Sequence, residues 1–460
     1  MNKCARDEKW EKIEADYGTE VATALRMLYD YYDGEGIASW VVSLFDPECG
    51  GFYYSKSARD TDGYLPDLES TSQALSVLSE IGAVPTDKLN EILPESVRAG
   101  IVEFARELQS PVDGYFYHPQ WPSGRENLNT DRYGRDVQSA SSIFRRVKYD
   151  KDGDGVAEQQ YPKYCMIDGR RCREHLETED KCVFPKNGAA LPEPMQNKTE
   201  EASKPSENHP VYTSESDFLT WLTEYNSTIF KDSGRAHNLA ALVNEIAIHG
   251  YQNVLIDYLD DKQEELYLEQ VRLGEDPTGI WQRNIDYRAV WGVYKYLYLY
   301  NNYGRAINLK YVPLMVETCL KVISLPPLQN YAYNDLMNQW SAISEIMANV
   351  ERHHGKEEAE KILDTMRENA AELVKNSLAK MLPFKMEDGS FCNSVKGVTT
   401  PVIYGTPIAV GGIAEGNMNA THILLCMYFS ICRVLGCTAV PLCDVSVGER
   451  VARRLASKMQ

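Results

Sequence analysis

The sequence has little positive charge for its length. It contains 48 Lys and Arg residues against 67 Asp and Glu, so the formal net charge is −19 over 460 residues. Proteins that bind nucleic acids concentrate Lys and Arg to neutralise phosphates, and this balance therefore argues against a nucleic-acid partner. We expect the acidity to serve solubility.

Long apolar runs are absent as well. The longest, ILLCMYFSIC at 423–432, is too short to cross a bilayer and predicts a buried helix. The first residues, MNKCARDEKWEKIE, lack the apolar stretch of a secretory signal. The 11 cysteines, an odd number and mostly scattered, are typical of a reducing compartment. These features predict a cytoplasmic protein without a membrane span.

Several common catalytic motifs are missing too. The chain has no GxGxxG, Walker loop, serine nucleophile elbow or kinase motif set. Strand-like alternation is scarce, whereas helical periodicity recurs in about fourteen stretches. Within 285–303, one helical face holds Tyr287, Val290, Trp291, Tyr294, Leu297 and Tyr298. The sequence therefore predicts an all-α fold.

A turn of glycine followed by an aromatic residue recurs along the chain. It reads GGFYY at 50–54, DGYFY at 113–117, TGIW at 278–281 and DGSF at 388–391. Glycine permits a tight turn with positive φ, and the aromatic ring would anchor that turn beneath a ring of helices. Each turn follows one helical stretch and precedes another. This order predicts inner helices that start near residues 69, 131, 233, 285, 333 and 418.

With these turns and with hairpin spacing along nearly the whole chain, the sequence resembles the α/α-toroid superfamily. That group includes six-hairpin glycosidases, polysaccharide lyases with an α/α barrel, terpenoid cyclases and the protein prenyltransferase β-subunit. The resemblance implies an (α/α)6 toroid of helical hairpins, with one domain over 1–460. The polar region 148–214 interrupts the helical pattern and is predicted to be an irregular insertion.

In such toroids the pocket forms at the mouth, where loops lead from outer to inner helices. Four acids in or just after these loops are the predicted catalytic residues: Asp62, Asp136, Asp286 and Glu415. Nine further residues there are predicted to contact a sugar: Tyr53, His118, Arg135, Trp281, Arg283, Tyr287, Tyr404, Asn417 and His422. Since Asp and Glu are common at helix starts, capping and ion pairing remain alternative roles for these acids.

The leading hypothesis is a carbohydrate-active enzyme that acts on a soluble oligosaccharide and requires no cofactor for its chemistry. Facing carboxylates would make it a glycoside hydrolase. In a lyase, a Tyr or His of the same loops would instead remove the proton alpha to a uronate carboxylate. Two alternatives stay open. One is a relative of terpenoid cyclases or prenyltransferases, although RDTDG at 59–63 does not match their acidic clusters. The other is a non-catalytic toroid that binds a protein or glycan.

The insertion contains a partial calcium motif. The stretch DKDGDGVAE at 150–158 places Asp150, Asp152, Asp154 and Glu158 in the order of a calcium loop, but its last ligand position holds Tyr161. A structural calcium site and a plain Asp-Gly turn are both compatible with this pattern.

Two further patterns concern zinc. Cys165, Cys172, His175 and Cys182 offer four soft ligands, but the usual Cys-x2-Cys pairs are absent, so free thiols or one disulfide are favoured. His422 and Cys426 lie four residues apart on one helical face, with Glu415 nearby. A cysteine on an apolar helix more often belongs to the core, so zinc is not expected there.

Overall fold

The computed structural model describes residues 3–109, 114, 116, 118, 120, 130–160, 166–167, 170–171, 210–226, 233–272, 278–326, 331–403 and 406–460. These residues are mostly helical, which confirms the all-α prediction. The helices are α1 Lys3–Tyr17, α2 Thr19–Tyr31, α3 Gly34–Ser43, α4 Lys56–Arg59, α5 Leu68–Glu80, α6 Leu89–Ile92, α7 Glu95–Glu107, α8 Thr130–Val147, α9 Glu215–Asn226, α10 Ser233–Ala241, α11 Val243–Ile248, α12 Gln252–Arg272, α13 Tyr287–Asn302, α14 Val312–Ser324, α15 Tyr333–His354, α16 Lys356–Met381, α17 Met418–Leu435 and α18 Val445–Lys458.

The remaining regular elements are small. Thr86–Lys88 and Leu382–Phe384 form single 3-10 turns. Two antiparallel ribbons pair β1 Met166–Ile167 with β2 Arg170–Arg171, and β3 Val402–Ile403 with β4 Thr406–Pro407.

Six helices pack against one another in a closed circuit. We call them the ring helices: α5, α8, α10, α13, α15 and α17. Each contacts the next along the chain, and α17 returns to contact α5. They start at Leu68, Thr130, Ser233, Tyr287, Tyr333 and Met418, all within two residues of the predicted starts. Several of the other long helices pack on this circuit. Among them, α7 packs on α8, α14 on α13 and α15, and α16 on α15 and α17.

The recurrent glycine turns have the predicted geometry. Their glycines adopt positive φ angles of 84° at Gly50, 70° at Gly114, 72° at Gly279 and 87° at Gly389. The aromatic residue of every turn is buried, namely Phe52, Phe116, Trp281 and Phe391. Only glycine takes this conformation without a steric cost, so the turn and its buried anchor are specified locally by the sequence.

Two of these turns are tied to their following helix by the same hydrogen bonds. The backbone N–H of Phe52 donates to Thr71 Oγ1, and that of Phe391 donates to Thr421 Oγ1, both at 3.0 Å. Each threonine is the fourth residue of its ring helix, and its hydroxyl also donates to the backbone carbonyl of the N-cap residue. The turn therefore fixes where the next ring helix begins.

Helix α17 is long and apolar enough to cross a membrane by composition alone. However, 72% of it is buried inside the fold, as expected of a core helix. The burial follows from its contacts with α5, α15 and α16. This agrees with the buried helix predicted from the apolar run at 423–432.

Candidate functional site

A cavity of about 820 Å³ lies among the ring helices. Its wall is formed by α5, α8, α13 and α17, together with the short helix α11. Along α8 the wall runs from Arg135 to Arg146, about 16 Å at the helical rise of 1.5 Å per residue. Arg145, near the end of α8, is exposed, so the cavity communicates with solvent there.

The wall is polar and basic. Four cationic side chains line it, Arg135, Arg145, Arg146 and Lys295, whereas Glu69 is the one carboxylate in the described wall. The neutral polar side chains of the wall include Ser72, Gln73, Ser76, Gln138, Ser139, Asn244 and Asn419. This excess of positive charge is found inside a chain whose net charge is −19. The cavity is therefore suited to an anion that also carries hydroxyl groups.

One end of the cavity is held by a hydrogen-bonded network across four ring helices. Arg135 forms an ion pair with Glu69. Gln73 Nε2 donates to Glu69 Oε1 at 3.2 Å and to Asn419 Oδ1 at 3.0 Å. Asn419 Nδ2 in turn donates to the Tyr333 hydroxyl at 2.8 Å. Because the network links α8, α5, α17 and α15, it fixes the orientation of the Arg135 guanidinium at the wall.

Lys295 has an unusual setting in this wall. Its Nζ lies 4.2 Å from the ring centroid of Tyr294 but forms no hydrogen bond or ion pair with any residue that the structure describes. Burial lowers the pKa of Lys295 to about 7, the nearby Arg135 lowers it too, and Glu345 opposes them. An amine that is half deprotonated near neutral pH can act as a general base or a nucleophile.

Two titratable neighbours of Lys295 are also perturbed. Burial lowers the pKa of His237 well below its ordinary value, and the charges of Lys295 and Arg135 act in the same direction. Burial raises the pKa of Glu345, although Asn301 Nδ2 donates to its carboxylate at 2.6 Å. Groups with shifted pKa values that meet beside a cavity are typical of functional sites.

Tyr298 follows Lys295 by one helical turn, so both side chains project from the same face of α13. Its hydroxyl oxygen accepts a hydrogen bond from Gln138 Nε2 at 3.3 Å. The phenolic proton is therefore not used in that bond. Burial raises the pKa of Tyr298, so the phenol keeps its proton at neutral pH. Lys295 and Tyr298 together offer a proton acceptor and a proton donor to the cavity.

The four acids predicted to be catalytic do not lie on this wall. Asp286 is the N-cap of α13 and accepts from the backbone N–H of Ala289 at 2.8 Å. Glu415 accepts from the backbone N–H of Ser57 at 2.9 Å and from its hydroxyl. Asp62 is exposed, and Asp136 is buried in α8. The contact of Asp286 is thus a helix cap, one of the alternative roles for these acids, and the catalytic roles of the four acids stay predictions.

Of the residues predicted to contact a sugar, Arg135 and His422 line the cavity. The others are placed elsewhere or fall outside the described residues. The Tyr53 hydroxyl donates to Asp46, His118 Nε2 lies 2.6 Å from the Pro66 carbonyl oxygen, and Asn417 caps α17. Trp281 and Tyr287 are buried, whereas Arg283 is exposed. Tyr404 lies outside the described residues. Their roles as sugar ligands stay predictions.

Lys295, Tyr298 and Arg146 were not among the predicted site residues. One sequence signal could have identified Lys295. It is the single lysine of α13, and it lies between Tyr294 and Tyr296 in the stretch 289–300, which is otherwise apolar and aromatic. A charged residue in such a surrounding must either reach solvent or face a polar space inside the fold.

Of the two metal motifs predicted within 148–214, the structure describes the calcium motif. Cys165, Cys172, His175 and Cys182 lie outside the described residues. In the calcium motif, the Asp150 carboxylate accepts from the backbone N–H groups of Gly153 and Gly155, both at 2.8 Å. Asp154 accepts from Val156 N–H at 2.8 Å, and Glu158 pairs with Arg106 at 2.6 Å. The turn is thus closed by its own backbone, and calcium binding stays a prediction.

We expect calcium to bind weakly to 150–158, and Asp152→Ala to abolish that binding. Asp152 is the informative position because the backbone bonds of the turn use Asp150 and Asp154, so its removal leaves the turn intact. Titration calorimetry of both proteins with calcium tests this. The absence of heat in the unmodified protein, or equal heat in the variant, would reject the site.

Comparison with models of known protein families, with curated protein sequences and with solved structures finds no match to this chain.

Proposed function

We propose that the ring helices form the inner layer of an (α/α)6 toroid and that the cavity among them is an active site. The closed circuit of helix contacts supports the toroid. So does the chain order, in which α7, α14 and α16 each follow one ring helix and precede the next. In this arrangement the inner helices must point part of their side chains at the central axis, and those side chains define the chemistry.

The proposed ligand is an oligosaccharide that carries carboxylate groups. The main support for this proposal is the composition of the described cavity wall, which has four cationic side chains and one carboxylate. Its serine, asparagine and glutamine side chains match the hydroxyl groups of sugars. Its volume of about 820 Å³ suits a ligand of several rings. Tyr298 is the only Phe, Tyr or Trp in the described wall, which argues against an isoprenoid ligand.

The proposed reaction is elimination. The neutral amine of Lys295 removes the proton from the carbon alpha to a uronate carboxylate, and Arg135 or Arg146 binds that carboxylate. The released electron pair forms a carbon–carbon double bond as the glycosidic oxygen departs. The Tyr298 hydroxyl gives its proton to that oxygen. The products are an unsaturated uronate and a free sugar hydroxyl, so no water or oxidant is consumed.

Elimination fits this cavity better than hydrolysis. Glycosidases need two carboxyl groups about 5–9.5 Å apart on either side of the scissile bond. Glu69 is the one carboxylate in the described wall, and it is paired with Arg135. Lys295, by contrast, is an amine without a hydrogen-bonding partner among the described residues and has a pKa of about 7.

The ligand class is tested by titration calorimetry with uronate-containing oligosaccharides and with the same oligosaccharides after carboxyl reduction. We expect binding of the acidic forms only, and weaker binding as salt is added. Arg146→Gln should weaken binding by tenfold or more, because charge-assisted bonds to a carboxylate are lost. Arg453→Gln, at an exposed position, is the matched control. Equal affinity for the acidic and the reduced forms would contradict the proposal.

A further inference from the structure

A second group of side chains lies beside the cavity and is not used by the elimination proposed above. Three donor atoms form a triangle: Glu80 Oε1, His422 Nε2 and Cys426 Sγ. All three sides measure 3.5 Å. His422 is also part of the cavity wall.

The triangle has the dimensions of one face of a tetrahedral zinc site. Zinc binds imidazole nitrogen and carboxylate oxygen at about 2.0–2.2 Å and thiolate sulfur at about 2.3 Å. With tetrahedral angles, these bond lengths place neighbouring ligand atoms roughly 3.3–3.6 Å apart. All three observed separations fall within this range.

Hydrogen bonding accounts poorly for the same arrangement. The carboxylate oxygen and the thiol sulfur both lie 3.5 Å from one ring nitrogen, His422 Nε2. That nitrogen has a single proton or a single lone pair, so it can form only one good bond. The Cys426 thiol can instead donate to Glu80 Oε1 at 3.5 Å, but the distance from His422 Nε2 to the same oxygen is longer than that of a good N–H···O bond. In addition, Glu80 Oε2 is buried and has no hydrogen-bond partner among the described residues. A cation between the three ligand atoms explains their mutual separations of 3.5 Å better, and it could also interact with the second Glu80 oxygen.

The fold places these ligands on two adjoining ring helices. His422 and Cys426 are four residues apart on α17, so they project from the same face. Glu80 is the last residue of α5, which packs against α17. The sequence had associated His422 and Cys426 with Glu415, but Glu415 contacts Ser57 instead. The third ligand was missed because Glu80 comes from a distant part of the chain.

We propose that Glu80, His422 and Cys426 bind a zinc ion, with the fourth position left for water or for a ligand in the cavity. The thiol of Cys426 releases its proton to solvent when the metal binds, and His422 coordinates as neutral imidazole through Nε2. A nitrogen and a sulfur ligand favour zinc over calcium or magnesium, which prefer oxygen. The proposal does not depend on the carbohydrate ligand, since metal binding can be measured without it.

The test uses the untagged 460-residue chain, stripped of metal and then titrated with cobalt(II) and with zinc. Cobalt bound to a thiolate gives a ligand-to-metal charge-transfer band in the near ultraviolet. We expect this band in the unmodified protein and its loss in Cys426→Ser. Two cysteine controls, Cys172→Ser and Cys437→Ser, should keep the band. The first separates this site from the Cys165–Cys182 array, and the second substitutes a cysteine that follows α17.

Variants at the other two ligands test the site even if Cys426→Ser fails to fold. We expect Glu80→Gln and His422→Gln to weaken zinc binding by about a hundredfold or more while the far-ultraviolet circular dichroism stays unchanged. A charge-transfer band that survives Cys426→Ser would overturn the proposal. So would a band lost only in Cys172→Ser, or the absence of cobalt binding to the unmodified protein.

Discussion

Replacement of Gly50 by alanine is expected to destabilise the fold by about 4 kcal/mol or more, which is an exceptional cost for one methyl group. Gly50 has a φ of 84°, and an alanine Cβ there would overlap the backbone carbonyl of Gly100. That carbonyl belongs to α7, so it cannot move without displacing a helix that packs on α8. Urea unfolding followed by circular dichroism measures the loss.

Gly63→Ala is the matched control for this substitution. Gly63 has a φ of 90°, but nothing lies within 4 Å of the position its Cβ would occupy. It should therefore cost only the backbone penalty of a left-handed alanine, about 1–2 kcal/mol. An equal loss of stability in the two variants would show that the close approach of Gly50 to α7 does not raise the cost of the substitution.

Lys295→Met is expected to reduce turnover of an acidic oligosaccharide by about a hundredfold or more, because it removes the proposed general base. The absorbance of the unsaturated uronate product follows the reaction. Lys88→Met, at an exposed position, should keep full activity. Full activity in the Lys295 variant, with product still formed, would rule out its role as the base.

The same variant should not lose stability. The pKa of Lys295 is about 7 in the folded protein, against 10.5 for an unperturbed lysine, so the unfolded chain binds more protons between these pH values. Lys295 therefore destabilises the folded state to the full extent below about pH 7, and this destabilisation disappears as the pH rises towards 10.5. Methionine removes it, and the melting temperature at pH 7 should stay equal or rise. A marked fall would mean that Lys295 has a structural role.

The pH dependence gives an independent test of Lys295. Because the neutral amine is the proposed base, kcat/KM should rise as the pH passes through about 7, the pKa of Lys295 in the free protein. The residual activity of Lys295→Met should lack this rise. A profile of the unmodified protein that falls over the same range would contradict the assignment.

The helices and turns of the fold could be predicted because their determinants are local. Positive φ at Gly50 and Gly389 requires glycine, and the aromatic that follows each is buried. Threonines in the first turns of α5 and α17 then tie each turn to its helix. The positive φ and the buried aromatic depend on adjacent residues, and each threonine bond spans only the loop between one turn and the next helix, 19 and 30 residues. This is why the starts of the ring helices were predicted within two residues.

Little of the cavity wall could be predicted from the sequence, because its residues come from helices that are far apart in the chain. Asp286 shows that position alone does not separate a catalytic acid from a helix cap. An acid just before a helix is the expected N-cap, and a catalytic acid in the same loop has the same sequence context. Lys295 lies inside α13 and Glu80 ends α5, and neither belongs to a recognisable sequence motif. The packing of the ring helices decides which way these side chains face, and helical periodicity does not specify that packing.

We propose that an acidic oligosaccharide occupies the cavity among the ring helices. Protection of Lys295 from an amine-acylating reagent tests this most directly, because the lowered pKa of Lys295 leaves much of its amine reactive near pH 7. Modification is quantified by mass spectrometry of peptides that span α13. We expect strong acylation of Lys295 without ligand, protection by a saturating acidic oligosaccharide, and no protection by its carboxyl-reduced form. Acylation of Lys295 that is unchanged while the acidic oligosaccharide is bound would place the ligand outside the cavity and contradict the proposed function.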